Sequence, residues 1–116
     1  MIKDYSKKSQ WAHKTNGELE TKILETMMAF DDLHKARIVV VTLFTKTKEL
    51  ISLGIVIPVR CDGCIALHVN DALKSGASSE EILKTIGVAI LMGGGPAVVY
   101  GCEAMEPLSQ FIVLEN

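Results

Sequence analysis

Residues 76 to 81, Gly-Ala-Ser-Ser-Glu-Glu, set a helix stop and a helix start back to back. Gly76 stands where a left-handed C-cap residue belongs. Ser78-x-x-Glu81 reads as a capping box, in which each side chain satisfies a free backbone N–H of the other residue. The stop closes a helix expected to run from Arg60 or Cys61 to Ser75. The start opens another, with Ile82, Leu83, Ile86, Ala89 and Ile90 as its apolar stripe. This part of the chain is therefore committed to helix–turn–helix.

The remaining segments extend the pattern. Leu19, Ile23, Met27, Phe30 and Leu33 recur at helical spacing behind a second capping-box pattern, Thr15-x-x-Glu18. They predict one amphipathic helix ending near His34 or Lys35. Between Arg37 and Phe44, Ile38-Val39-Val40-Val41 is β-branched and alone reads as a strand. No second good strand candidate exists to pair with it, and a lone strand leaves its backbone hydrogen bonds unmet. Helix or extended connector is therefore preferred. Thr45 is expected to cap a helix to about Ile57, with Leu50, Ile51, Leu53 and Gly54 inward and Pro58 stopping or kinking it. The glycine run at 93–95 closes the following helix, Pro96 suits the first turn of the last, and Pro107 is expected to kink or end it. The expectation is an all-α compact bundle of about five to six helices. Residues 17–116 would form the single domain and residues 1–16 a polar arm, with Trp11 packed on something.

A chain of 116 residues suits one domain. Hydrophobic residues make up 48% but aromatics only 5%, so the core must be aliphatic, and so much apolar surface in a short chain points to burial between subunits. Net charge is −2 and no Lys/Arg block exceeds two adjacent residues, which argues against nucleic acid as a partner. Thr85 to Cys102 is uncharged over 18 residues, about the lower limit for a membrane span. Gly93-Gly94-Gly95-Pro96 interrupts it, so two short buried helices are expected instead. The same run lacks the Lys-Ser/Thr of a phosphate-binding loop. Met1 to Asn16 is polar without an apolar core, so a cytoplasmic location is expected. There a Cys-x-x-Cys pair is more often redox-active or metal-binding than a structural crosslink.

That pair is the chemically informative stretch: Cys61-Asp62-Gly63-Cys64-Ile65-Ala66-Leu67-His68. If it is helical, Cys61, Cys64 and His68 share one face. A helix N-terminus favours thiolates, and His68, one turn beyond Cys64, is placed to take its proton. Cys61 is near enough to trap an oxidised Cys64 as a disulfide. The helix terminus nominates Cys61 as nucleophile and the imidazole nominates Cys64; the specific base outweighs the diffuse dipole, so Cys64 is chosen. Such a set can reduce a peroxide or exchange disulfides. A structural zinc on Cys61, Cys64 and His68 is the alternative, with Cys102, His34 or Glu49 as fourth ligand. A third reading is a scaffold that keeps the fold without turnover. Cys102 reads as a packing residue, His13 and His34 as surface residues, and Met27, Met28 and Met92 as core filler.

Lys48-Glu49-Leu50-Ile51-Ser52-Leu53, Arg60 to His68, Ala72 to Ile82 and Met92-Gly93-Gly94-Gly95-Pro96 together resemble the alkylhydroperoxidase D-like branch of the carboxymuconolactone decarboxylase family. The resemblance covers roughly Thr47 to Tyr100. It implies an all-helical fold, a trimer or hexamer, and an active site in which a glutamate lies twelve residues before the first cysteine, the position of Glu49. It further implies that Glu49 and His68 relay protons to the thiols, that Cys64 attacks a small hydroperoxide, and that Cys61 resolves it. A dithiol reductant or redox partner protein would reset the pair, with no bound cofactor or metal. One departure stands out. The branch's namesake has a second histidine before the second cysteine, where this chain has Gly63. Relatives without the cysteine pair are decarboxylases, so the pair argues against that activity here.

Overall fold

A computed structural model describes residues 3–38 and 42–115. Six α-helices follow in order: α1 Tyr5–Lys22, α2 Leu24–Ile38, α3 Thr45–Val59, α4 Asp62–Lys74, α5 Ser79–Gly93 and α6 Gly95–Glu115. The expected all-helical fold is what the structure shows, with no strand among the described residues. Ile38 closes α2, and the rest of the ambiguous β-branched run, 39–41, lies outside those residues.

Helices α3 to α6 form the core. Leu53 and Ile57 of α3, Ile65 and Val69 of α4, Ile82 and Ala89 of α5, and Ala97 and Ala104 of α6 are buried together in one aliphatic cluster. Phe111 is the aromatic residue in that cluster, consistent with the low aromatic content. Local chemistry sets the boundaries as expected at the α4–α5 junction. Gly76 has φ +94°, and both hydrogen bonds of the Ser78–Glu81 capping box form, at 3.0 and 3.1 Å. The uncharged run from Thr85 to Cys102 is broken at Gly94, which caps α5 with φ +72°. The α5–α6 turn also needs Gly93, because a Cβ there would lie 2.7 Å from that of Ala97 and 3.0 Å from that of Pro58. No helix of the described residues is long and apolar enough to cross a membrane.

The amino-terminal third departs from expectation. α1 starts at Tyr5, so helix already occupies most of the expected polar arm. Asp4 caps it by accepting from the Lys7 N–H at 3.0 Å. Thr15 and Glu18, expected as a capping box, are interior to α1, and the single helix expected through Ile23 is broken there. Its apolar stripe is not buried: Leu19, Ile23, Phe30 and Leu33 are exposed, the last two at 65% and 66%. Periodicity identified the apolar face, but α1 packs on α2, α4 and α6 alike, while α2 touches only α1 and α3 among the described helices and leaves that face open. Trp11 is exposed too, as are Met28, Met92, Ile51 and Leu83, all expected inside or packed.

Smaller differences are local. Phe44 rather than Thr45 takes the N-cap of α3. Pro107 does not stop α6, which continues to Glu115, whereas α3 ends at Val59, one residue past Pro58 and close to the expected Ile57. Arg60 ends α3 in the left-handed conformation, φ +65°, and turns the chain into α4.

Candidate active site

Helix α4 carries the site. Cys61 is its N-cap, with extended backbone, and its sulfur accepts from the Cys64 N–H at 3.3 Å. Cys61 and Cys64 are joined as a disulfide. Cys61 therefore sits just ahead of the helix rather than on its stripe. The side chains that share one α4 face are Cys64, His68 and Asp71, spaced four and three residues apart.

Glu49 approaches from α3. It is the buried charged residue of the described chain, 2% exposed, and its Oε2 lies 2.9 Å from His68 Nδ1. A buried carboxylate must be paired, and this contact orients the imidazole. With Nδ1–H donating to the carboxylate, Nε2 remains as the basic nitrogen of the ring. The four residues singled out from the sequence, Glu49, Cys61, Cys64 and His68, thus lie on α3, on α4 and at the N-cap of α4.

Asp71 was missed by sequence reasoning. Its carboxylate, that of Glu49 and the imidazole of His68 offer polar atoms all within 4.8 Å of one another. Burial pushes the Asp71 carboxyl above its usual range, the charge of Glu49 adds to that, and His68, His34 and Lys74 oppose it. The available signal was its spacing of three from His68. His34, expected at the surface, is half-buried and acts on Asp71 from α2. Cys102, expected to pack, is exposed. With both sulfurs spent in the disulfide, neither is a thiolate ligand in this structure, and the set of potential ligands found together contains no cysteine.

The first turn of α4 is also tied to the amino terminus. Asp62 accepts from Lys3 and Lys8 and, at 3.1 Å, from the hydroxyl of buried Tyr5. Burial pushes the Asp62 carboxyl up, but these three donors outweigh it and hold the group below its ordinary value. Tyr5 N–H donates to Gln110 Oε1 at 2.7 Å, and Gln110 Nε2 donates to the Lys3 carbonyl at 2.9 Å. α1 is thereby anchored to α4 and α6 together. A cavity of about 610 Å³ opens between α1, α2 and one flank of α4, lined by His13, Met27, Phe30, His34, Gly63 and Leu67 among others.

A helical bundle with a Cys-x-x-Cys pair at a helix N-terminus, one turn before an imidazole held by a buried glutamate, defines a narrow class of protein. The chain belongs to the carboxymuconolactone decarboxylase family, whose model matches residues 21–107. An uncharacterised protein of Haemophilus influenzae is 32% identical over 109 residues, 94% of this chain and 96% of its own. A crystal structure of a family member from Legionella pneumophila superposes with a TM-score of 0.88 at 34% identity, covering 92% of this chain and 96% of that one. A family member from Thermotoga maritima, described as a candidate participant in an antioxidative response, superposes with a TM-score of 0.74 at 28% identity, covering 87% and 92%.

Proposed function

We propose that the protein is a thiol-dependent peroxidase or disulfide reductase of the alkylhydroperoxidase D type. The observation that carries this reading is the Cys61–Cys64 disulfide at the start of α4, one turn ahead of the Glu49–His68 pair. In the reduced protein His68 takes the Cys64 proton, and the thiolate attacks the outer oxygen of a hydroperoxide. The O–O bond breaks, Cys64 becomes a sulfenic acid, and the alkoxide leaves as an alcohol with the proton from His68. The Cys61 thiol then attacks the sulfenic sulfur, water departs, and the disulfide forms. A dithiol reductant restores both thiols by exchange and leaves as its own disulfide.

The helix N-terminus supports Cys61 through the Cys64 N–H, whereas the imidazole supports Cys64. The specific base assigns the attack to Cys64. The cavity beside Gly63 offers room for the organic part of a hydroperoxide. The antioxidative description of the Thermotoga relative agrees with this chemistry. The reading places the protein in the cytoplasm, where a reductant keeps the cycle running, and as a trimer or hexamer whose interfaces cover apolar faces such as that of α2.

Peroxide added to the fully reduced protein should consume two thiols per chain. Mass spectrometry should then find a two-proton loss confined to the peptide containing Cys61 and Cys64. Cys61→Ser should accumulate a sulfenic acid on Cys64. A Cys64→Ser variant with full peroxidase activity would refute the assigned role.

A further inference from the structure

We propose that Asp71 is a positioning residue of this site: its carboxylate, beside Glu49, steadies the imidazolium that forms on His68 when Cys64 gives up its proton. The inference rests on the reading that Cys64 and His68 exchange a proton. It names a residue that neither spacing from the cysteines nor the resemblance singled out.

Three observations converge on it. Asp71 shares the α4 face of Cys64 and His68, one turn beyond the imidazole. Its carboxylate lies within 4.8 Å of both the His68 nitrogen and the Glu49 carboxylate. Two acidic groups so close repel each other, and burial adds to the cost of keeping Asp71 ionised. A positive charge on the ring, which lies within that distance of each carboxylate, relieves both. The cluster is therefore built to favour the protonation state that proton transfer from Cys64 creates. The groups that face Asp71 are Glu49 from α3, His68 and Lys74 from α4, and His34 from α2. His34 and Lys74 act on Asp71 in the opposite direction and moderate the effect without removing it.

The alternative is that Asp71 acts directly on the sulfur. A nearby carboxylate repels a thiolate, so its removal would make Cys64 easier to ionise. The two roles predict opposite signs. The test measures the rate of Cys64 alkylation by iodoacetamide against pH, using fully reduced Cys61→Ser protein with Cys102 also replaced by serine. Asp71→Asn, which keeps shape and loses charge, should raise the alkylation midpoint by roughly half a unit to one unit. Asp71→Glu should bring it back toward the starting value, and circular dichroism should show both variants folded. An unchanged or lowered midpoint in the folded Asp71→Asn protein overturns the inference. Should that variant fail to fold, Asp71→Glu decides: a midpoint displaced by as much as one unit although the charge is kept would overturn the electrostatic role, and one held within about 0.3 unit supports it. Alkylation needs neither peroxide nor reductant. A protein that shows the shift but turns over no peroxide therefore sinks the proposed activity and leaves this inference standing.

Discussion

Replacing Glu49 by glutamine tests the contact on which the site is built. The carboxylate is 2.9 Å from His68 Nδ1 and 2% exposed, so water screens it little. At that distance and an effective permittivity of about 20, a carboxylate and an imidazolium attract by roughly 6 kcal/mol. Glutamine keeps an acceptor worth about 1 kcal/mol, and Asp71 supplies part of the missing charge. A net loss of roughly 3 kcal/mol for the step that charges the imidazole is therefore expected, about a 100-fold lower rate. The folded state should change far less, because removing a buried charge also removes its desolvation cost. Stopped-flow measurement of thiol oxidation by an organic hydroperoxide should give the rate loss, and thermal melting should move by no more than a few degrees. A well-folded Glu49→Gln protein whose oxidation rate falls less than about threefold would sink the relay.

Other consequences are more local. Leu53, fully buried where α3 meets the other core helices, should cost about 2–5 kcal/mol when cut to alanine, read by denaturant unfolding. Gly93→Ala forces a methyl group against Ala97 and Pro58, and about 1–3 kcal/mol of lost stability is expected in the same assay. Asp62 is held below its ordinary value by its donors, so its contribution is complete above the unfolded value near 3.9 and disappears as pH falls through the lower folded value. Hydrogen exchange should therefore show α1 loosening below about pH 4, and Tyr5→Phe should loosen it at neutral pH by about 1 kcal/mol. Phe30→Asp, on the exposed face of α2, should lower the assembly size measured by light scattering if that face is an interface between copies.

Legibility followed the range of the interaction concerned. The α4–α5 junction was readable because Gly76, Ser78 and Glu81 act on backbone groups within a few residues. The spacing of Cys64 and His68 was readable because helix geometry relates residues four apart. The helix start at Asp4 was not read, because Thr15-x-x-Glu18 matches the full capping-box pattern, whereas Asp4 is followed three residues later by Lys7 and caps with its own side chain alone. Phe30 and Leu33 illustrate another limit: periodicity marks an apolar face but does not say what covers it.

The chain by itself determined that it would be helical, where the central helices turn, and that one thiol would stand one turn before an imidazole with a second three residues earlier. Only the tertiary structure set Glu49 of α3 against His68, drew Asp71 and His34 toward the same point, and tied Lys3, Tyr5 and Lys8 to the first turn of α4. Backbone hydrogen bonds and helical spacing act over a few residues and are written in local order. A carboxylate nineteen residues from its imidazole meets it only after the helices have packed.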